Sequence, residues 1–315
     1  MKQGSAPLLA LALLAGGCAA PQGPVRSSQV PFSPGPGPAS PPPPPAAPRA
    51  VAPPSNDPFA PPDRTQAPWS QTPVKLLGIG EVETGTAAGG ATWRIGTARG
   101  TVWAWRPPGY RPRDAGVCIY LHGYFTTVDQ AVQDHRLADQ FAASGRNALF
   151  VVAEAPAWNG EEGVWPDLDE LLAETFRRTG LKPPPGPVVV VGHSGAFRPI
   201  LSWLGDARLE EVMLLDGLYR GEALFKGWLL GNGSPRPRRL VLVSDETFPA
   251  AEALSAGVPG AVSLGEVPAA DRGLEGAART ARLVHLKSQY PHMAIVESGE
   301  VLPVLLRASH LAALR

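Results

Sequence analysis

Two cysteines in 315 residues, Cys18 and Cys118, are too few for a disulfide framework or a cysteine-rich metal site. Charge is sparse as well. Charged residues make up 18% of the chain, and 28 basic residues balance 28 acidic ones. The one basic cluster, Arg236 to Arg239, is short, so nothing equips the chain for nucleic acid. Long apolar runs are missing too. The run from Pro7 to Ala15 is too short to cross a bilayer as a permanent helix. No internal repeat is visible, and no His/Asp/Glu cluster has metal-ligand spacing, so neither a metal nor another cofactor is expected. Proline is what the chain has in abundance, and it is unevenly spread: 18 of residues 21–70 are Pro.

That distribution divides the chain into 1–17, 18–70 and 71–315. The first piece has a positive start at Lys2, the short apolar core and small residues leading to Cys18, as an export signal does. Leu14-Ala15-Gly16-Gly17-Cys18 resembles a bacterial lipobox, with Ala15 departing from the more frequent Leu. The resemblance implies cleavage before Cys18, lipidation of Cys18 and a membrane-anchored lipoprotein, on the periplasmic face of an outer membrane. An ordinary signal cut near Ala19–Ala20 is the alternative, and it also exports the protein. Residues 18–70 cannot bury a core and favour extended polyproline conformations, reaching roughly 150 Å. This stretch reads as a disordered spacer.

Residues 71–315 suit one α/β domain. Strand candidates are 74–79, 101–106, 117–121, 148–153, 188–191, 211–215, 240–243 and 282–286, with a hairpin turn at 96–100. Helices are expected over 128–143, 167–179 with Asp167 as cap, 197–204, and 291–306 with Pro303 as a kink. The alternation argues a mostly parallel sheet with helices on both faces. Cys118 falls inside an apolar strand and reads as a core residue.

The most specific motif is Val188-Val-Val-Val-Gly-His-Ser-Gly-Ala196. A buried strand, a sharp turn with Ser194 at its tip and a following helix make the setting of a nucleophile elbow. Ala196 stands where the strict pattern has Gly. Here the chain resembles the α/β-hydrolase fold, over most of 117–306. The family order is nucleophile, acid, histidine. By that resemblance Ser194 is the nucleophile, and the amides of Tyr124 and Gly195 hold the oxyanion. Tyr124 follows Leu121-His122-Gly123, a strand ending in His-Gly that the family often carries, with His122 bracing the loop.

The base is sought among six histidines. His193 lies within the elbow, His122 precedes the serine, His135 reads as a surface residue in mid-helix, His285 as a buried strand residue, and His310 lies near the terminus. His292 remains, after the last strand and at the start of the final helix. For the acid, Asp216 ends an apolar strand and enters a Gly turn, whereas Asp245 follows the next strand in a polar loop that reads as a helix start. The family more often uses the later position. Gly-His-Ser-Gly followed by Leu-Leu-Asp-x-Leu-Tyr, however, resembles a pairing in secreted bacterial proteins of this fold. Asp216 is favoured, with Asp245 left open.

The expected function is an envelope-tethered serine hydrolase that cleaves a carboxylic ester or amide through an acyl-enzyme. Its substrate would be a small-molecule or envelope-polymer acyl compound. Trp158 and Trp165, in the loop 154–166, either wall a pocket or pack that loop down. The alternatives are a non-catalytic binding lipoprotein, or an acyltransferase or peptidase using the same triad.

Overall fold

Short runs such as Val188–Val191, rich in β-branched residues, form the middle of a ten-stranded sheet in the computed structural model, which describes residues 76–231, 237–270 and 272–315. The expected signal segment, its Cys18 and the Pro-rich spacer lie outside the described residues. The strands are β1 (Val82–Ala87), β2 (Gly90–Thr97), β3 (Gly100–Arg106), β4 (Gly116–Leu121), β5 (Ala148–Ala153), β6 (Val188–His193), β7 (Leu209–Leu215), β8 (Arg239–Ser244), β9 (Val262–Leu264) and β10 (Leu283–Lys287). Their order is β1-β2-β3-β5-β4-β6-β7-β8-β10-β9. β1, β2 and β3 pair antiparallel, β3 joins β5 antiparallel, and every later pairing is parallel. This is a mixed, mostly parallel sheet with helices on both faces, as the alternation of strands and helices predicts.

Both faces of β4, β5, β6, β7 and β8 are buried, which is why these strands read as continuous apolar runs. Ile119, Val151, Val190, Val212 and Leu242 point to one side, against α3 (Leu168–Thr179), α4 (Phe197–Trp203), α5 (Glu222–Leu230) and α6 (Phe248–Ala256). Cys118, Phe150, Val191, Met213 and Val243 point to the other, against α1 (Val128–Asp134), α2 (Leu137–Ser144), α7 (Gly276–Thr280), α8 (Ala294–Glu297) and α9 (Val301–Arg307). Each fully buried Val or Leu contributes about 1.5–3 kcal/mol. These central strands therefore make a rigid platform for whatever follows their carboxyl ends.

Several expectations need correction. Residues 76–79 form no strand; the first strand begins at Val82. The expected helix 128–143 is two helices, because Arg136 adopts φ 48° and breaks the turn. The break is held by Gln140, whose side-chain amide donates to the carbonyls of His135 and Val296 at 2.6 and 2.7 Å, and by Arg136, which reaches the carbonyls of Glu297 and Ser298. His135 is consequently buried, 2% exposed, and not a surface residue; its Nδ1 pairs with the Tyr120 hydroxyl at 2.9 Å. The closing helix is also split, between Glu297 and Val301 with Gly299 at φ 82°. Pro303 lies in the first turn of α9, where a missing amide costs nothing, and the break falls before it.

Candidate active site

The turn after β6 places Ser194 at φ 54°, a left-handed conformation unusual for a residue with a side chain. Such a conformation costs about 1–3 kcal/mol, and the surroundings have to hold it. Small neighbours make room. A Cβ on Gly192 would stand 2.5 Å from Cδ1 of Ile200, and one on Gly195 would collide with the ring of Tyr124. α4 begins at Phe197, immediately beyond the turn.

The turn after β4 packs directly on this one. A Cβ on Gly123 would lie 2.9 Å from Cβ of Ser194. The fully buried His122 braces the turn. A carbonyl only accepts, so His122 Nδ1 donates to the Gly123 carbonyl, at 2.8 Å. Its Nε2 receives the Ala155 amide at 3.1 Å and lies 2.9 Å from a carboxylate oxygen of Glu154. The ends of β4 and β5 are thereby joined. Tyr124 and Gly195, whose amides are the sequence-based oxyanion donors, sit on two turns in contact with each other.

Asp216 immediately follows β7, the strand beside β6, and it too has a left-handed backbone, φ 46°. Its carboxylate is fully buried and saturated with donors. Oδ1 accepts the amides of Asp245 and Thr247 at 3.0 and 2.9 Å and the Thr247 hydroxyl at 2.8 Å. Oδ2 accepts the Glu246 amide at 3.2 Å and Nδ1–H of His292 at 2.7 Å. The carboxylate thus sits at the amino end of α6, where amides point outward for an anion. Burial works against its charge, but the hydrogen bonds from His292, Thr247 and Asp245 prevail and hold Asp216 well below the usual carboxylate range. Asp245 meets this pair through its backbone amide, and its side chain is exposed.

His292 lies in the turn between β10 and α8. Burial lowers the basicity of its ring, and the hydrogen bond and charge of Asp216 more than restore it, so its pKa lies above the ordinary imidazole value. His193, the last residue of β6, stands behind it. Its Nε2 donates to the His292 carbonyl at 3.2 Å, and the two rings are 4.6 Å apart. Burial pushes His193 well below the ordinary value, so it stays neutral beside the working pair.

The sequence reasoning passed over Tyr219 and Glu246. The Tyr219 hydroxyl donates to Oε2 of Glu246 at 2.8 Å. Both residues follow carboxyl ends of parallel strands, the position where α/β sheets collect functional groups, and that rule could have found them. The topology also joins Asp216, Glu246 and His292, whose ligand-type atoms all lie within 4.8 Å of one another. Residues 30 and 76 positions apart give no spacing signal, so the sequence could not show this grouping. Two of the three are already engaged with each other.

Arg198, on α4, donates from Nη1 to the Asn159 carbonyl at 2.5 Å and to the Tyr124 hydroxyl at 3.4 Å. It ties the 154–166 loop to the elbow. Of the two tryptophans there, Trp165 packs into the core at 2% exposure and accepts from the Trp203 indole through its carbonyl, whereas Trp158 remains half-buried.

No protein-family model and no curated protein matches the chain. Among solved structures, the chain is similar to an S-formylglutathione hydrolase from Agrobacterium tumefaciens, at 10% identity and TM-score 0.47 over 74% of this chain and 100% of that one. It is similar to the feruloyl esterase module from Clostridium thermocellum at 12% identity and TM-score 0.44, over 71% and 86% of the two chains. A soluble variant of monoglyceride lipase from Saccharomyces cerevisiae gives 10% identity and TM-score 0.41, over 76% and 97%.

Proposed function

We propose that this protein is a serine hydrolase that cleaves a carboxylic ester or amide through an acyl-enzyme on Ser194. The observation that carries the reading is the buried, charged Asp216 bonded at 2.7 Å to Nδ1 of His292, beside a serine on a left-handed turn. A serine hydroxyl is a weak nucleophile until a base takes its proton, and a base works only with its ring oriented and its cation stabilised. Asp216 fixes the proton on Nδ1, which leaves Nε2 unprotonated and able to accept.

In the proposed cycle His292 Nε2 takes the proton of Ser194 as Oγ bonds to the substrate carbonyl carbon. The carbonyl π electrons move to its oxygen, and the amides of Tyr124 and Gly195 stabilise that oxyanion. The intermediate collapses, the bond to the leaving group breaks, and His292 delivers the proton to that group. A water molecule then repeats the sequence on the acyl-enzyme and regenerates Ser194.

The site is also proposed to act at the cell envelope, on a small-molecule or envelope-polymer acyl substrate, from a lipid anchor at Cys18. Support for that placement is the lipobox-like run ending at Cys18 and the Pro-rich spacer after it. Among the described residues no helix is long and apolar enough to cross a membrane.

The test is fluorophosphonate labelling of the full-length protein, purified in detergent. Labelling that disappears in Ser194→Ala and falls sharply in His292→Ala supports the reading. A folded wild-type protein that takes no label overturns it. Lipidation is checked separately by the mass of the mature amino terminus, compared with Cys18→Ala.

A further inference from the structure

His193 is 2% exposed, ends β6 and immediately precedes Ser194. A carbonyl only accepts, so the 3.2 Å contact with the His292 carbonyl puts the ring proton of His193 on Nε2. Nδ1 is then a bare lone pair. It abuts the turn after β4, where a Cβ on Gly123 would stand 3.1 Å away, and no N–H is stranded by that contact. The backbone around His292 shows what the Nε2 contact does. The Pro291 carbonyl accepts the Ile295 amide at 3.2 Å, and the Met293 carbonyl accepts the amides of Val296 and Glu297, each at 3.1 Å. The carbonyl between them, that of His292, accepts from His193. His292 thus has two anchors, its ring on Asp216 at 2.7 Å and its main chain on His193. The second anchor belongs to the residue next to the serine. The His193 ring is itself confined, 4.6 Å from the His292 ring and 6.2 Å, edge-on, from buried His135, which is tied to Tyr120.

We propose that His193 is a positioning residue of the reaction: through its hydrogen bond to the His292 main chain it sets the separation between the catalytic base and Ser194. The proposal rests on the serine-hydrolase reading above. Asp216 holds the base at one ring nitrogen, and a single held atom is a pivot. A peptide carbonyl is joined rigidly to its Cα, so holding it as well limits how far the imidazole can shift. Such shifts matter, because a misplacement of about 1 Å can cost about 100-fold in rate. The nucleophile and the base are in this way referred to one strand end, residues 193 and 194, and not only to each other across the sheet. Burial, and then the neighbouring imidazole of His292, keep His193 neutral, so no positive charge opposes the imidazolium that His292 becomes. The proton that passes between Ser194 and His292 is untouched, since the N–H of His193 goes to the main chain of His292.

The experiment measures kcat and KM for p-nitrophenyl acetate, with fluorophosphonate labelling and melting curves, on full-length wild type, His193→Phe, His193→Gln and His193→Asn. Phenylalanine keeps a ring without the donor. Glutamine carries an N–H as many bonds from Cα as Nε2 of histidine, and asparagine carries the same amide one bond shorter. His193→Phe and His193→Asn should lower kcat about tenfold with KM within about twofold, because substrate binds as before and only the proton-transfer geometry is lost. His193→Gln should recover kcat to within about threefold of wild type. Both amide variants lack the ring, so a merely structural need for the ring would lower the two alike. Should His193→Phe not fold, the amide pair decides alone. The proposal is overturned if wild type labels at Ser194 and either a folded His193→Phe keeps the wild-type kcat or His193→Gln falls as far as His193→Asn. A wild type that takes no label at all sinks the underlying reading and this proposal with it.

Discussion

The ring of Tyr124 fills the space that a side chain on Gly195 would need. The two turns flanking Ser194 are therefore fitted to each other, and one methyl group is enough to separate them. Gly195→Ala should slow fluorophosphonate labelling at least about tenfold, since one misplaced oxyanion donor costs about 2.7–4 kcal/mol in transition-state stabilisation. The melting temperature should fall only modestly, because the strain stays local. An unchanged labelling rate would show that the two turns do not cooperate.

Asp216 and Asp245 are distinguished by what they present to His292. Asp216→Asn keeps the shape but gives the imidazole a partner that no longer favours Nδ1–H, and kcat should drop by about 10³–10⁴. Asp245→Asn should keep activity within about twofold, since the backbone amide that it offers to Asp216 is unaltered. The reverse ranking would move the acid to Asp245.

The pH profile follows from the same pair. Catalysis needs neutral His292, whose pKa is raised, so the acid limb should lie above the ordinary imidazole value of about 6.5. Stability responds at two places. Asp216 is more acidic in the folded state, so its contribution is fully present above about pH 3.9 and is lost as pH falls further. His292, more basic when folded, contributes fully below about pH 6.5 and loses that contribution as pH rises through its folded pKa. Melting curves of wild type and Asp216→Asn from acid to neutral pH should converge at the acid end.

Away from the site, Glu211 and Arg239 form a buried pair at 3.0 Å, exposed 0% and 3% on their side chains. Burial pushes Glu211 up to about 7. Arg239→Met should cost about 3–5 kcal/mol at pH 8, where the lone carboxyl must stay an uncompensated anion or take up a proton from a basic solution. The loss should be smaller at pH 5, where Glu211 takes up a proton and no longer needs a counter-charge. Denaturant titrations at the two pH values check this, and equal losses would contradict it.

The parallel core was legible in the sequence because both faces of those strands are covered, so their apolar runs are unbroken. Val188–His193 followed by a helix at Phe197 is the clearest case. The helix breaks at Arg136 and Gly299 were not legible. Each is set by side chains reaching across from distant segments, Gln140 to Val296 and Arg136 to Glu297, and no local pattern encodes them. His135 was misread for the same reason: its flanking polar residues suggested solvent, while its partner Tyr120 lies on another element. Within the site, the serine turn announces itself by motif. The clustering of Glu246 and Tyr219 with the residues at positions 216 and 292 is a product of sheet topology, and it became visible only when β7, β8 and β10 lay side by side.

Ser194 and Asp216 stand at the tips of adjacent strands with φ of 54° and 46°. A β-branched residue resists that backbone, whatever its side chain can do chemically. Threonine carries the same hydroxyl as serine, yet in place of Ser194 it would have to distort the turn or leave it. Cysteine, unbranched, would not. The permitted chemical alphabet at this position is therefore set by stereochemistry before reactivity has any say, and a screen for altered chemistry here should begin from the unbranched residues.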